Sequence, residues 1–201
     1  MSNRFTRSGL VRRSLVGGGA IVASGSLASV FAKSAWGLAA PDGDVAALRL
    51  LIGTELLALD FQSHALASGK LGTQSAALLK RLQADEQAHY NALANLMSQA
   101  GQIPATSGDI DFSYPTATFD GEASIVKLAD ELEALQLGAY IGANAGVQTP
   151  QLRIAIGQIS ANEAQHVAAL ATLAGKPVIG KAFGPALHGD AVTAVLDAYE
   201  S

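Results

Sequence analysis

Residues 86–96 read EQAHYNALANL and residues 163–173 read EAQHVAALATL, so one frame, E-x-x-H-x-x-A-L-A-x-L, occurs twice. The 201 residues hold only four histidines, and two of them stand in this frame. Residues three or four apart stack on one face of a helix. Each frame therefore sets a carboxylate and an imidazole side by side on a face that is otherwise alanine and leucine. A lone glutamate precedes each frame at nearly the same distance: Glu55 stands 31 residues before Glu86, and Glu133 stands 30 before Glu163. Both frames also run out into glycine and then proline, Gly101 with Pro104 and Gly175 with Pro177. The pattern predicts two copies of one helical hairpin, packed about a pseudo-twofold axis that brings equivalent residues face to face.

The segments between breakers fit that arrangement. Apolar residues recur at helical spacing over 44–68; GKLGT (69–73) stops the helix and restarts it, with Thr73 as a cap, over 74–99. Residues 101–120 hold two prolines and two glycines without a helical period, which makes a long connection. A third helix is expected over 121–144. Thr149 and Pro150 then open a fourth, to about 174, in the order cap then proline at the first helical position. Short loops make antiparallel pairs and the long segment crosses the bundle, so the fold class is all-α: an antiparallel four-helix bundle of two hairpins joined by a long crossover. Few aromatic residues, 5%, and abundant alanine and leucine agree with packed helices. The tail, residues 176–201, carries a Pro- and Gly-rich stretch and a short helix near 190–199, which covers one end of the bundle or mediates self-association as a homodimer.

The chain starts differently. Arg12 and Arg13 precede an uncharged, glycine-rich run over 14–32, and small residues follow as far as Ala40. That is the layout of a signal segment over residues 1–40, and the adjacent arginines make it similar to a twin-arginine signal, which implies export, to a periplasm or cell envelope, in a folded state. An uncleaved membrane anchor is the alternative. The remaining bundle, residues 41–175, is then more acidic than the formal net charge of −4 suggests, because Arg4, Arg7, Arg12 and Arg13 belong to the leader. No basic face is left for nucleic acid. The absence of cysteine excludes disulfides, thiolate metal sites and a cysteine nucleophile.

The acids of the repeat sit on apolar rails. Glu55 has Leu48, Leu51, Ile52 and Leu59 on its side, Glu86 has Leu79, Leu82 and Leu93, and Glu163 has Ile156, Ile159 and Leu170. Glu133 shares its rail with Asp130 and Gln136, which leaves neighbouring Glu131 as a competitor. Buried unpaired carboxylates cost several kcal/mol each, and four would exceed the roughly 5–15 kcal/mol stability of an ordinary domain. Two divalent cations balance four carboxylates, and His89 and His166 add one neutral nitrogen for each ion. His64 and His188 have no carboxylate at ligand spacing and read as surface histidines.

With Glu55 and Phe61, E86-Q-A-H89, IDFSYP (110–115), Glu133 with Gly138 and Tyr140, and E163-A-Q-H166, the chain resembles the ferritin-like di-metal carboxylate superfamily over about residues 44–175. Within it, the exported bacterial ferritin-like domain proteins are the most similar branch. The resemblance implies Glu55, Glu86, His89, Glu133, Glu163 and His166 as ligands of two divalent metal ions, iron first and manganese second. It also implies that Asp85 and Asn162, each just before a frame glutamate, accept a hydrogen bond from the histidine of the opposite helix. Asn162 departs from the carboxylate expected there. Tyr140 and Tyr90 read as core tyrosines, with a bond to a metal-held species as the alternative. Three functions are consistent with this set: a redox centre that oxidises ferrous ion or reacts with oxygen or peroxide, metal binding or storage alone, and a stress-protective envelope protein with a vestigial site.

Overall fold

The computed structural model describes residues 40–201, so the proposed signal segment lies outside the described residues but for Ala40. Five helices follow in order: α1 (Asp42–Ala67), α2 (Thr73–Gln99), α3 (Glu122–Gly146), α4 (Pro150–Leu173) and α5 (Gly189–Tyr199). None of the described helices is long and apolar enough to cross a membrane.

α1 and α2 form one hairpin, α3 and α4 the other. Asp44, at the start of α1, meets the loop after α3, whereas Ser75, at the start of α2, bonds Glu122 at the start of α3. Hence α1 runs antiparallel to α3, and residues 101–121 span the bundle to connect the hairpins. Leu48, Leu51, Ile52, Leu79, Leu93, Leu96, Ile125, Leu152 and Ile156 fill the centre and are essentially inaccessible.

The helix ends repeat as the frames do. After α2, Gly101 takes φ +74°, with bonds from Gln102 N–H to Met97 C=O (3.1 Å) and from Gly101 N–H to Ser98 C=O (3.0 Å). After α4, Gly175 takes φ +65°, and Lys176 N–H reaches Ala171 C=O at 2.8 Å. Both are the closure that glycine permits and that a side chain resists. The starts are less regular. Thr73 is the first residue of α2 rather than its cap, and neither α2 nor α4 has a side-chain cap from its own N-cap residue. Asp44 does that work for α4 from a distance: its buried carboxylate accepts the N–H groups of Gln148 and Thr149, both at 2.8 Å. A carboxylate there also meets the positive end of the α4 dipole.

The tail does not close an end of the bundle. It crosses the flank formed by the first half of α1 and the last half of α3, where Leu187 N–H bonds Gly138 C=O (2.9 Å). Gly142 is what permits the crossing, since a Cβ there would lie 1.9 Å from the Leu187 carbonyl oxygen. α5 then buries Val192 and Leu196, the latter against Gly53 of α1. Its last residues pair with the crossover, Ser113 N–H to Tyr199 C=O at 2.7 Å and Ser201 N–H to Asp111 C=O at 3.1 Å. The crossover is pinned to α1 in turn, because the Tyr114 hydroxyl donates to Asp60 (2.9 Å) and its ring packs on Phe61, Phe119 and Tyr199.

Candidate metal centre

Each helix of the bundle delivers its repeat residue to one place. Glu55, Glu86 and Glu163 are fully buried, Glu133, His89 and His166 nearly so. Two overlapping groups form: Glu55, Glu86, His89 and Glu163, and Glu86, Glu133, Glu163 and His166, with one donor atom from each member within 4.8 Å of the others. The glutamates of the two frames belong to both groups, and the lone glutamates to one each. Glu131 is not a member; it is exposed and pairs with Lys127 at 3.2 Å on the outside of α3.

The imidazoles face each other across the centre, ring centroids 6.0 Å apart and planes inclined by 26°. Both turn Nδ1 inward. His89 Nδ1 lies 3.0 Å from Glu163, 3.5 Å from Glu86 and 3.7 Å from Glu55. His166 Nδ1 lies 3.1 Å from Glu86, 3.1 Å from Glu133 and 3.5 Å from Glu163. Each Nε2 points away, His89 to Asn162 Oδ1 at 3.0 Å and His166 to Asp85 Oδ2 at 3.5 Å. Both expected outer residues stand behind the histidine of the opposite helix, but only Asn162 accepts a hydrogen bond; Asp85 faces His166 as a charge at 3.5 Å. Arg81 Nε donates to the same Asp85 oxygen at 2.9 Å.

Three polar side chains complete the centre. The Tyr140 hydroxyl donates to Glu55, Gln62 Nε2 to Glu133 (3.3 Å) and Gln136 Nε2 to Glu86 (3.0 Å). Tyr140 is fully buried, as a core tyrosine is, but its hydroxyl belongs to the site. Tyr90 does not; its hydroxyl donates to the Ala105 carbonyl of the crossover at 2.9 Å. Gln62 was not among the residues singled out from sequence, and Gln136 counted there as a polar blemish beside Glu133. The repeat itself points to Gln62: it stands seven residues after Glu55, as Tyr140 stands seven after Glu133, and each reaches across to the other hairpin's lone glutamate. His64 and His188 stay outside: His64 does have a carboxylate one turn back, Asp60 at 3.7 Å, contrary to its sequence reading, but the pair lies on the surface beside Tyr114 and Phe119, and His188 is exposed at the start of α5.

Without an ion, the charges settle among themselves. Burial, and then the Glu86 charge, push the carboxyls of Glu55 and Glu133 well above the usual range. Burial would do the same to Glu86, but hydrogen bonds from Glu55, His166 and His89 outweigh it and hold Glu86 ionised. Burial disfavours charge on the imidazoles too. The surrounding carboxylates prevail, Glu163 first at His89 and Glu133 first at His166, and push His166 up to about 12 and His89 higher. The protons do not satisfy the site. Each Nδ1 carries at most one proton yet faces three carboxylates, and Glu55 Oε2, Glu86 Oε1 and both oxygens of Glu163 are buried around those two shared nitrogens. Four converging carboxylates that outnumber the two inward nitrogens, with no thiolate, fit a pair of divalent cations of the iron, manganese or zinc kind.

The sequence profile of a ferritin-like domain matches residues 43–176. The chain belongs to the ferritin-like domain family. None of the curated proteins matches it. Among solved structures, the ferritin-like fold is shared with a protein of Bacillus anthracis str. Ames described as one of its ferritin-like, diiron-carboxylate proteins. That pair is 16% identical, with a TM-score of 0.56 over 76% of this chain and 99% of the other. A hypothetical protein of Methanococcus jannaschii DSM 2661 shares it as well, at 13% identity and a TM-score of 0.55, over 75% of this chain and 90% of the other. The ferritin-like assignment and the buried cluster of acids and histidines together support a di-metal site in this bundle.

Proposed function

We propose that this chain holds two divalent ions, iron ahead of manganese, on Glu55, Glu86, His89, Glu133, Glu163 and His166, and uses them to oxidise ferrous ion or to react with oxygen or peroxide. The observation that carries the reading is the pair of overlapping groups in which four buried glutamates converge on only two imidazole nitrogens. The diiron-carboxylate description of the Bacillus anthracis neighbour supports iron. Glu86 and Glu163 serve both positions, while Glu55 with His89 and Glu133 with His166 complete one each. Asn162 fixes the His89 ring by a hydrogen bond and Asp85 favours the same orientation of His166 by its charge, so that Nδ1 faces inward. Two ferrous ions held by these residues would each be a one-electron reductant for oxygen or peroxide. The apolar rails around the acids keep the site dry, which strengthens every electrostatic contact inside it.

The test is oxygen or peroxide consumption by iron-loaded protein beside Glu163→Ala, with turnover that follows iron content expected. Two bound ions without turnover would leave the second reading, a metal-binding or stress-protective envelope protein. Asn162 favours that reading, since an amide behind His89 polarises it less than a carboxylate would. We also propose export through the leader, on the strength of Arg12-Arg13 and the uncharged run behind them. Replacing both arginines by lysine should stop it, and unchanged export would refute the twin-arginine assignment.

A further inference from the structure

Two differences between the hairpins fall directly behind the donor groups. At equivalent places in the repeat stand Asp85 and Asn162, and likewise Gln62 and Tyr140. We infer that the two metal positions are unequal: the one served by His166 and Glu133 fills first, and the one served by His89 and Glu55 is the weaker, exchangeable position. This rests on the di-metal reading above.

Consider the imidazoles first. Both have Nδ1 toward the carboxylates, so the strength of each as a ligand depends on what its Nε2–H faces. For His166 that is the carboxylate of Asp85 at 3.5 Å, a charge contact without a hydrogen bond; for His89 it is the neutral amide oxygen of Asn162, which accepts at 3.0 Å. A carboxylate behind a ligand histidine raises its basicity, whereas an amide offers only a dipole. The extra half ångström matters little for a charge, whose interaction falls only as the inverse of distance. Arg81 donates to the same Asp85 oxygen at 2.9 Å, but its side chain is 74% exposed against 19% for Asp85, so water screens Arg81 more than the carboxylate that faces His166.

The lone glutamates differ in the same sense. Tyr140 gives Glu55 a phenolic hydrogen bond inside a fully buried pair, and Gln62 gives Glu133 an amide bond at 3.3 Å. A phenol is the more acidic donor of the two and withdraws more charge from its carboxylate. Gln136 bonds Glu86, which belongs to both groups, and so does not discriminate. The poorer imidazole and the poorer carboxylate thus fall on one position. Outer partners of this kind change metal affinity by about 10–100-fold, which sets the expected gap between the two.

The experiment is an anaerobic titration of the chelator-stripped chain with manganese(II), free ion being followed by its paramagnetic resonance. Two phases separated by about tenfold or more are expected. His89→Ala should delete the weaker phase and leave the tighter one. Asn162→Asp, which changes no volume, should strengthen the weaker phase by about tenfold and narrow the gap, and Asp85→Asn should weaken the tighter phase. Two ions bound with equal affinity, or loss of the tighter phase in His89→Ala, would overturn the inequality while leaving the di-metal reading intact. A chain that binds no manganese would overturn both.

Discussion

One chemical change made at two glutamates separates the charge assignment from the metal site. Glu55 and Glu86 are equally buried, and each is replaced by glutamine without change of shape. In the metal-free chain Glu55 is the acid that burial and the Glu86 charge drive toward its protonated form. Glu55→Gln then exchanges one neutral group for another, and an acceptor for the Tyr140 hydroxyl remains. The cost should stay within about 1 kcal/mol, the worth of one altered hydrogen bond. Glu86 is the acid held ionised, 3.1 Å from His166 and 3.5 Å from His89. Glu86→Gln strips a buried charge from two imidazolium partners, a loss of about 3–5 kcal/mol. At 2–4 °C per kcal/mol for a domain of this size, the midpoint falls by roughly 6–20 °C. Metal reverses part of the comparison. An ion at about 100 times its dissociation constant adds about 2.7 kcal/mol; Glu55→Gln touches one donor group and keeps the contribution of the other ion, whereas Glu86→Gln damages both. The assay is thermal unfolding followed by circular dichroism, with chelator and then with excess manganese. Equal loss of stability by the two variants in chelator would refute the assignment of protons at this site.

Two further outcomes follow from the same geometry. His166 keeps its proton up to about 12 in the folded chain against an ordinary value of 6.5, and His89 is raised in the same direction. Their contribution to metal-free stability is therefore fully present below about pH 6.5 and is lost as pH rises toward about 12. An ion must displace those protons, so metal affinity should rise with pH, and calorimetry in buffers of different ionisation enthalpy should register proton release on binding; pH-independent binding would contradict this. Separately, Gly142→Ala should push Leu187 off α3, because backbone rather than a flexible side chain occupies the space of its Cβ. Faster proteolysis of the tail with the bundle helices intact is expected, and an unaltered tail would show that Leu187 has room to shift.

The bundle was legible because its signals are periodic and local. Apolar residues at helical spacing, glycine closing α2 and α4 at positive φ, and a long breaker-rich connection each have one physical meaning. The six convergent donors were legible through redundancy: one E-x-x-H pair in a core is ordinary, while two pairs with matched lone glutamates leave a charge that needs a partner. Contacts between distant segments were not legible. Asp44 caps α4 from the start of α1, more than a hundred residues away, and nothing in its own surroundings distinguishes it from an ordinary first-turn acid. The tail's path depends on a gap above Gly142 that only the packed structure defines. Gln136 misled because a polar residue on a rail reads as exposure when its partner, Glu86, lies on another helix.

The central claim, that the hairpins exist to hold two ions between them, is tested most directly by metal analysis of gently purified protein together with its melting curve before and after chelation. Two ions per chain are expected, with a fall in the melting temperature on their removal, and Glu163→Ala should lose the ions and that metal-dependent part of the melting temperature, while substitution of His64 should change neither. A chain that binds no iron, manganese or zinc at micromolar concentration and melts identically with chelator would contradict the account, since four buried glutamates would then have only two imidazoles to share between them.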